Sequence, residues 1–169
     1  MNPVGELLQI DDICLDVDAS SKDQLLERIA DFFARRYRLA AAEVFGKLKE
    51  REQLGSTGLG HGVAIPHARM GRLPSAAGAF FRTRFPIPFD APDGRPVSNV
   101  LALLVPATAT EKHLQLLANA AGMFGDRSFR SQLRHCAQPS EVKTLLDGWS
   151  DIALPEPADD SPAKSGSSG

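Results

Sequence analysis

The chain has 169 residues, of which 43% are hydrophobic and 24% are charged, and these proportions fit one ordinary globular domain. A formal net charge of -2 gives no bulk electrostatic reason to bind nucleic acid or an anionic membrane surface. No apolar run approaches the roughly 18 residues that a membrane-spanning helix requires, and residues 1–12 lack the basic and apolar regions of a signal peptide. We therefore predict a cytoplasmic protein without a nucleic-acid partner or membrane insertion.

The two cysteines, Cys14 and Cys136, lie far apart in the sequence. Two cysteines are too few for a disulfide framework, and their spacing is not that of zinc ligands. We predict two reduced thiols and no metal site.

A strand and two helices are predicted before residue 54. Residues 13–17 alternate apolar side chains with polar or small ones, which favours a short strand. Ser20 and Asp23 then predict a helix with an N-cap and an acid in its first turn. A second helix is predicted over about 41–52, and position alone makes Arg51 a cation that caps its last carbonyls. The outer face of this helix is expected to be solvated and to carry Lys47, Lys49, Glu50 and Glu52.

Residues 54–69, LGSTGLGHGVAIPHAR, combine a glycine-rich loop, a short apolar strand, Pro66 and His67. Glycine permits several backbone N–H groups to converge on an anion. Pro66 favours extended geometry before it, so the strand is expected to stop there and leave His67 aimed from its end. Neutral imidazole is nucleophilic near neutral pH, which suits phosphoryl transfer through nitrogen. The alternative is an ordinary glycine-rich turn beside a structural histidine, whereas the glycine spacing matches neither a P-loop nor a dinucleotide fingerprint.

The middle of the chain predicts two strands separated by a proline-rich turn. Residues 77–83 are small and aromatic, as in a strand, and residues 92–94, Pro-Asp-Gly, are a strong turn signal. Residues 99–105 form a nearly continuous apolar run that Pro106 ends. Such a run predicts a central strand covered on both faces, and therefore helices on each side of a sheet.

A further helix is predicted after Thr108 or Thr110, either of which is a candidate N-cap. With Thr110 as the cap, His113 is the third helical residue, where the positive end of the helix favours a neutral ring and attracts phosphate. The alternative is a surface histidine in a first turn. The inner stripe of this helix is predicted to be Leu114, Leu117, Ala118, Ala121 and Phe124.

The last part of the chain predicts two more helices and a tail. Residues 128–134 and 140–146 are the helices, each opening near a serine, and Trp149 is expected to pack the second against the body. Residues 151–169 are rich in Pro, Ser, Gly and acids, which predicts a disordered tail after a domain over residues 1–150. Whether the final SGSSG is native is left open.

Residues 55–69, GSTGLGHGVAIPHAR, closely resemble the active-site signature of the type-2 EIIA domain of the bacterial phosphoenolpyruvate-dependent phosphotransferase system. The resemblance continues through PIPFDAPDGRPV (86–97), LALLVP (101–106) and TEKHLQLLA (110–118). It covers most of residues 7–148. Among subfamilies the chain looks most like the stand-alone nitrogen-regulatory EIIA.

The resemblance implies a phosphocarrier built as a single α/β domain, with a mixed β-sheet flanked by helices on both faces. In such a protein His67 accepts a phosphoryl group from an HPr-type histidine phosphocarrier protein, and His113 lies beside it to orient or stabilise the phosphate. No nucleotide or metal cofactor is implied, because the donor is itself a phosphohistidine. Onward partners are regulatory target proteins or an EIIB domain. The implied phosphate-binding residues are Arg51, Ser56, Thr57, Gly58 and Gly60.

Two positions depart from the family pattern: His61 stands where a small amide residue is usual, and Ala68 where glycine is frequent. Two other functions stay open, namely a sugar-specific EIIA that passes phosphate to a cysteine of EIIB, and a regulatory binding module that has lost phosphotransfer. An HPr-type carrier would dock on an apolar surface around the active histidine. The candidates for that surface are Leu59, Leu73 and Phe89.

Overall fold

The computed structural model of the protein describes residues 2–108 and 111–150. In this part of the chain a mixed six-stranded sheet lies between two groups of helices, so the predicted α/β architecture is confirmed. The strands are β1 (Ile13–Val17), β2 (Gly58–Gly60), β3 (Val63–Ala64), β4 (His67–Met70), β5 (Ala77–Ile87) and β6 (Val97–Pro106). The helices are α1 (Pro3–Leu7), α2 (Lys22–Tyr37), α3 (Ala41–Gln53), α4 (Glu111–Gly125), α5 (Arg127–Arg134) and α6 (Pro139–Gly148).

Strand β6 is the centre of the sheet. It pairs antiparallel with β5 and parallel with both β3 and β4. Successive side chains of a strand point to opposite faces of the sheet, so an apolar run of this length contributes side chains to a hydrophobic core on each face. The prediction of a central strand covered on both faces is therefore confirmed. One core, with α2 and α3, receives Val100, Ala102 and Leu104, and the other, with α1, α4, α5 and α6, receives Leu101, Leu103 and Val105.

Helix α2 begins one residue later than its predicted cap. Ser21 is the N-cap, and its side chain accepts a hydrogen bond from the backbone N–H of Gln24. Ser20 instead donates from its backbone N–H and from its hydroxyl to the side-chain oxygen of Gln24. The choice of Ser20 as N-cap was wrong because two adjacent serines offer the same capping chemistry.

The inner face of α4 also differs from the prediction. Leu114 is 65% exposed, and Ala118 and Ala121 are exposed as well. Apolar or small residues occupy most of the helix circumference, so periodicity alone does not select a face. Packing against the sheet selects the face that carries His113. The residues buried on α4 are His113, Leu116, Ala120, Met123 and Phe124.

Several element ends follow capping groups that the sequence patterns did not single out. Helix α5 is capped by Asp126, whose carboxylate accepts from Ser128 N and Phe129 N, and the indole Nε1–H of Trp149 donates to the same carboxylate at 2.9 Å. Helix α6 begins with a capping box between Gln138 and Glu141.

The predicted tail and the predicted cap at position 110 lie outside the described residues. No helix in the described part of the chain is long and apolar enough to cross a membrane.

Candidate active site

The chain between residues 58 and 70 enters the sheet three times. Strands β2 and β3 pair antiparallel, Pro66 interrupts the chain, and β4 then begins at His67 and pairs parallel with β6. The prediction that Pro66 stops a strand is confirmed. His67, however, is the first residue of β4 and does not extend freely from the end of β3. Its backbone is therefore held between β3 and β4.

Two hydrogen bonds define the proton positions on the His67 ring. Nδ1 lies 2.9 Å from the carbonyl oxygen of Ile65, and Nε2 lies 3.3 Å from Nε of Arg51. A carbonyl can only accept a hydrogen bond and a guanidinium can only donate one. The arrangement therefore places the proton on Nδ1 and leaves on Nε2 the lone pair that a nucleophile requires.

The pKa of His67 is lowered from its ordinary value, mainly because burial penalises the charged ring. The positive charge of Arg51 lowers this pKa as well. The hydrogen bond to the Ile65 carbonyl and the negative charge of Glu52 oppose the shift. The lowered pKa favours the neutral ring, in which the Nε2 lone pair is available.

Arg51 connects the last turn of α3 to the glycine loop and to His67. Its Nη1 donates to the carbonyl oxygen of Gly55 at 2.9 Å, while its Nε points at the His67 ring. Gly55 follows the helix, so the guanidinium holds the first carbonyl of the loop as well as the imidazole. Arg51 therefore does more than cap the last carbonyls of α3, because it also contacts the glycine loop and the His67 ring.

Two hollows meet at His67 and Arg51, which line both of them. The smaller, about 220 Å³, also contains Ser56, Thr57 and Gly58, together with Leu117 and Ala121 from α4. The larger, about 560 Å³, contains Arg69 and His113. Apart from Gly60, each residue predicted to bind phosphate or to assist His67 therefore lines one of these hollows. Gly60 lies against Asp93, whose carboxylate oxygen would be 3.3 Å from a Cβ placed there.

Several donors of the glycine loop are already bonded within the protein. Thr57 donates from its backbone N and its Oγ1 to the carboxylate of Glu52, at 2.9 Å and 2.6 Å. The Ser56 hydroxyl donates to the Phe89 carbonyl at 2.7 Å and accepts from the N–H of Gly58 at 3.0 Å. A phosphate would have to compete for these groups, so the phosphate-binding role of the loop stays a prediction. Arg51 and Arg69 supply formal positive charge to the hollows.

His113 is the third residue of α4, as predicted, but it is not a surface histidine because only 7% of it is exposed. Its Nδ1 is buried without a hydrogen-bond partner among the described residues. A buried N–H without a partner is rarer than an unpaired acceptor, so the proton belongs on Nε2. Burial lowers the pKa of His113, and the positive charge of Arg69 lowers it further, as would a protonated His67 ring. The ring is therefore a neutral donor through Nε2–H.

Of the three residues predicted to form the docking surface, only Leu59 is accessible to a partner, and docking itself stays a prediction. Leu59 is exposed, whereas Leu73 and Phe89 belong to the core against α2 and α3. Leu54, at the end of α3, is an exposed apolar residue beside the larger hollow, whereas Leu114 on α4 is exposed but lines neither hollow. Leu54 lines the larger hollow, and Leu59 lines the smaller.

Residues 6–148 match the family described as the phosphoenolpyruvate-dependent sugar phosphotransferase system, EIIA 2. This match covers most of the chain, including every residue of the two hollows. The chain belongs to the EIIA type-2 family. The resemblance inferred from the glycine-rich signature is thus confirmed.

Relatives in this EIIA family include proteins named for nitrogen regulation. The nitrogen regulatory protein of Pseudomonas aeruginosa is 43% identical over 121 residues, which are 71% of this chain and 79% of that protein. The crystal structure of IIA-Ntr from Neisseria meningitidis superposes with a TM-score of 0.81 at 47% identity, covering 85% of this chain and 98% of that one. The mannitol IIA of Escherichia coli, solved in complex with phosphorylated IIB, shares the fold at a TM-score of 0.69 and 20% identity, covering 84% and 98% of the two chains.

Glu52 is the site residue that sequence reasoning missed. It was expected on a solvated face, but only 7% of it is exposed, and its carboxylate binds Thr57 and Lys22. One signal was available: a carboxylate in the last turn of a helix is disfavoured by the helix dipole, so partners must hold it there. The prediction of a solvated Glu52 was wrong because its partner Lys22 comes from another helix, 30 residues away.

The departure of this EIIA chain at His61 has a backbone explanation. His61 and Gly62 have φ of 58° and 79°, and two consecutive positive φ values are those of a tight hairpin turn that favours Asn-Gly. The His61 N–H donates to Asp93 Oδ2 at 2.8 Å. A small amide residue at this position is therefore the less strained choice.

We expect His61→Asn to accept phosphate as the wild type does and to raise the free energy of unfolding by about 0.5–1 kcal/mol, part of the ~1–3 kcal/mol strain of such a backbone. Urea unfolding measures this change. His135→Asn is the matched control, because the φ of His135 is -91° and no strain is relieved there. A loss of phosphate acceptance as complete as that of His67→Ala would contradict the prediction.

Proposed function

We propose that this protein is a phosphocarrier of the phosphotransferase system, in which His67 accepts a phosphoryl group from an HPr-type histidine phosphocarrier protein. The observation that carries the proposal is the geometry of the His67 ring. Its Nδ1–H donates a hydrogen bond to the Ile65 carbonyl, and the lone pair on its Nε2 faces Arg51. Membership in the EIIA type-2 family supports the same role. The nitrogen regulatory relatives favour a regulatory use of the phosphate.

In the proposed transfer, the Nε2 lone pair of His67 attacks the phosphorus of the donor phosphohistidine. The new N–P bond forms as the N–P bond of the donor breaks, and the donor imidazole leaves with that electron pair. The His67 proton stays on Nδ1, where the Ile65 carbonyl stabilises the positive character that the ring acquires. Little covalent chemistry is required beyond this, so positioning and charge stabilisation govern the rate.

Arg51 and His113 are proposed to stabilise the phosphoryl oxygens. In the free protein Arg51 Nε points at Nε2, the atom that becomes bonded to phosphorus. The same N–H is then placed to donate to a phosphoryl oxygen, as a charge-assisted bond. His113, which lines the larger hollow with Arg69, supplies a neutral N–H donor that adds no second imidazolium charge.

The test is reconstitution of the transfer from purified components. The chain is incubated with phosphoenolpyruvate, the general phosphotransferase enzyme and an HPr-type carrier, and its intact mass is followed. We expect the addition of one phosphoryl group, lost on mild acid treatment as phosphoramidates are, and no addition when the carrier is omitted. A phosphorylated sample mixed with an EIIB domain would distinguish a sugar-specific role, since transfer to its cysteine would regenerate the unmodified chain. Absence of any adduct would favour a binding module that has lost phosphotransfer.

The carrier is proposed to dock on the exposed apolar residues beside His67, among them Leu54, which lines the larger hollow. We expect Leu54→Lys to raise the KM for the carrier about tenfold or more with little change in kcat, because the variant loses an apolar contact and repels a basic partner. Phe85→Lys is the matched control: Phe85 is also a large exposed apolar residue, but it lines neither hollow. Steady-state transfer kinetics measure both. An equal effect of the two variants would refute this docking surface.

A further inference from the structure

Glu52 carries a buried carboxylate with three hydrogen bonds. Its Oε1 accepts from Thr57 Oγ1 at 2.6 Å, and its Oε2 accepts from Thr57 N at 2.9 Å and from Lys22 Nζ at 3.1 Å. A carboxylate buried at the negative end of a helix is unfavourable unless it is paired and fully bonded. These three bonds therefore define where Thr57, the residue before β2, can lie.

The contacts continue from Thr57 to the His67 ring. The carbonyl oxygen of Thr57 accepts from the N–H of Ile65 at 3.0 Å. The carbonyl oxygen of Ile65 in turn accepts the Nδ1–H of His67 at 2.9 Å. A displacement of Thr57 would thus move the backbone of Ile65, and with it the one acceptor that places the ring proton on Nδ1.

We propose that Glu52 is a positioning residue, which holds His67 in its Nδ1–H form by anchoring Thr57 and, through Thr57, the carbonyl of Ile65. Glu52 touches neither the reacting nitrogen nor the proposed phosphoryl position. The proposal deepens the proposed phosphocarrier function and rests on it for its catalytic consequence, whereas its structural consequence applies to the unphosphorylated protein alone.

Lys22 completes the anchor from the other side of the loop. Its Nζ lies 4.7 Å from the centre of the Phe89 ring, in addition to the bond with Glu52. The carbonyl of Phe89 accepts the hydroxyl of Ser56. Helix α2 and the segment before β6 thereby hold the two residues, Ser56 and Thr57, that lead into β2. The close approach of Gly58 to Ala91, where an added Cβ would lie 2.8 Å from the Ala91 Cβ, permits this packing.

The negative charge of Glu52 supports the same assignment. The charged groups that line the larger hollow with His67 are Lys47, Glu50 and Arg51 from α3 and Arg69 in β4, with the ring of His113 from α4, and Glu52 acts on the ring from beside them. Of the two charges that shift the pKa of His67, Glu52 favours a positive ring, since it acts against burial and Arg51. It is therefore also placed to stabilise the positive character of a ring that has accepted a phosphoryl group.

The test is the ¹⁵N chemical shifts of the His67 ring nitrogens in the full, unphosphorylated chain. In the wild type we expect Nδ1 to have the shift of a protonated nitrogen and Nε2 that of a bare one. In Glu52→Gln the amide NH₂ cannot accept, so Thr57 loses one of its bonds, and both shifts should move toward averaged values. Thr57→Val should behave alike, whereas Thr57→Ser, which keeps the hydroxyl, should resemble the wild type.

Transfer kinetics provide the second measurement. Glu52→Gln and Thr57→Val are expected to lower kcat about tenfold or more and to leave the KM for the carrier within twofold, since the docking surface is intact. Asp12→Asn is the matched control: Asp12 is also a buried carboxylate, paired with Arg36 at 2.9 Å. It should lower the melting temperature without changing the His67 shifts or kcat.

Unchanged His67 shifts in folded Glu52→Gln and Thr57→Val would overturn the proposal, as would shifts that move equally in Asp12→Asn. If Glu52→Gln does not fold, Thr57→Val against Thr57→Ser decides the same question. A wild-type chain that accepts no phosphoryl group but shows the expected shifts would reject the proposed function and leave the positioning role standing. Failure of the positioning role and failure of the phosphocarrier function can therefore be distinguished.

Discussion

His67→Ala is expected to abolish phosphoryl acceptance, a loss of at least about 10³-fold, as when a catalytic nucleophile is removed. The variant has no Nε2 lone pair, and no other side chain of the described residues receives the same combination of a fixed proton and a facing guanidinium. Intact mass after incubation with the complete donor system measures the effect. His135→Ala is the control, because His135 is exposed at the end of α5 and should remain fully competent.

The same assay run over pH tests the environment of the ring. Acceptance requires the neutral imidazole, and burial together with Arg51 lowers the pKa of His67 below the ordinary value of 6.5. The acid limb of the rate should therefore lie at a lower pH than that of an unperturbed histidine. Transfer that survives in His67→Ala would point to His61 or His113 as the acceptor and would reject the assignment.

His113→Ala is expected to retain acceptance but to slow it roughly tenfold to over a hundredfold. The attacking nitrogen remains, whereas a donor to a charged oxygen is lost, which costs about 1.5–3 kcal/mol if that bond forms in the transition state. His113→Gln should recover part of the rate, because its amide can still donate a hydrogen bond. Single-turnover transfer from the phosphorylated carrier measures these rates.

A buried histidine can also affect the rate through packing, so a core control is needed. Leu116 lies on the same buried face of α4, and Leu116→Ala should lower stability by about 2–5 kcal/mol. It should leave the transfer rate nearly unchanged where the protein is folded. Wild-type rates in His113→Ala, or an equal slowing in Leu116→Ala, would show that His113 does not act on the phosphate.

Much of the fold follows from local patterns. The unbroken apolar run of β6 predicts a strand covered on both faces, and the structure places its alternate residues in two cores. Helix α4 shows where such patterns end: small and apolar residues surround most of it, so either face satisfies the helical period. The predicted inner face was wrong at Leu114, Ala118 and Ala121 because the sheet packs against a neighbouring face of the helix, whereas Phe124 is buried as predicted.

The sequence by itself determined the family, because the glycine-rich signature is read directly from the residues. It also determined that a glycine loop is followed by a short strand, a proline and a histidine, because the backbone preferences of glycine and proline act on neighbouring residues. The tertiary structure decided which ring nitrogen of His67 is bare. Arg51, 16 positions earlier, supplies the donor to Nε2, and the carbonyl of Ile65 accepts from Nδ1 only where the chain turns between β3 and β4. It likewise decided that Glu52 is buried, because its partners Lys22 and Thr57 meet it only when α2, α3 and the loop pack together. Hydrogen bonds of this kind depend on approach within about 3 Å, which no spacing in a sequence specifies.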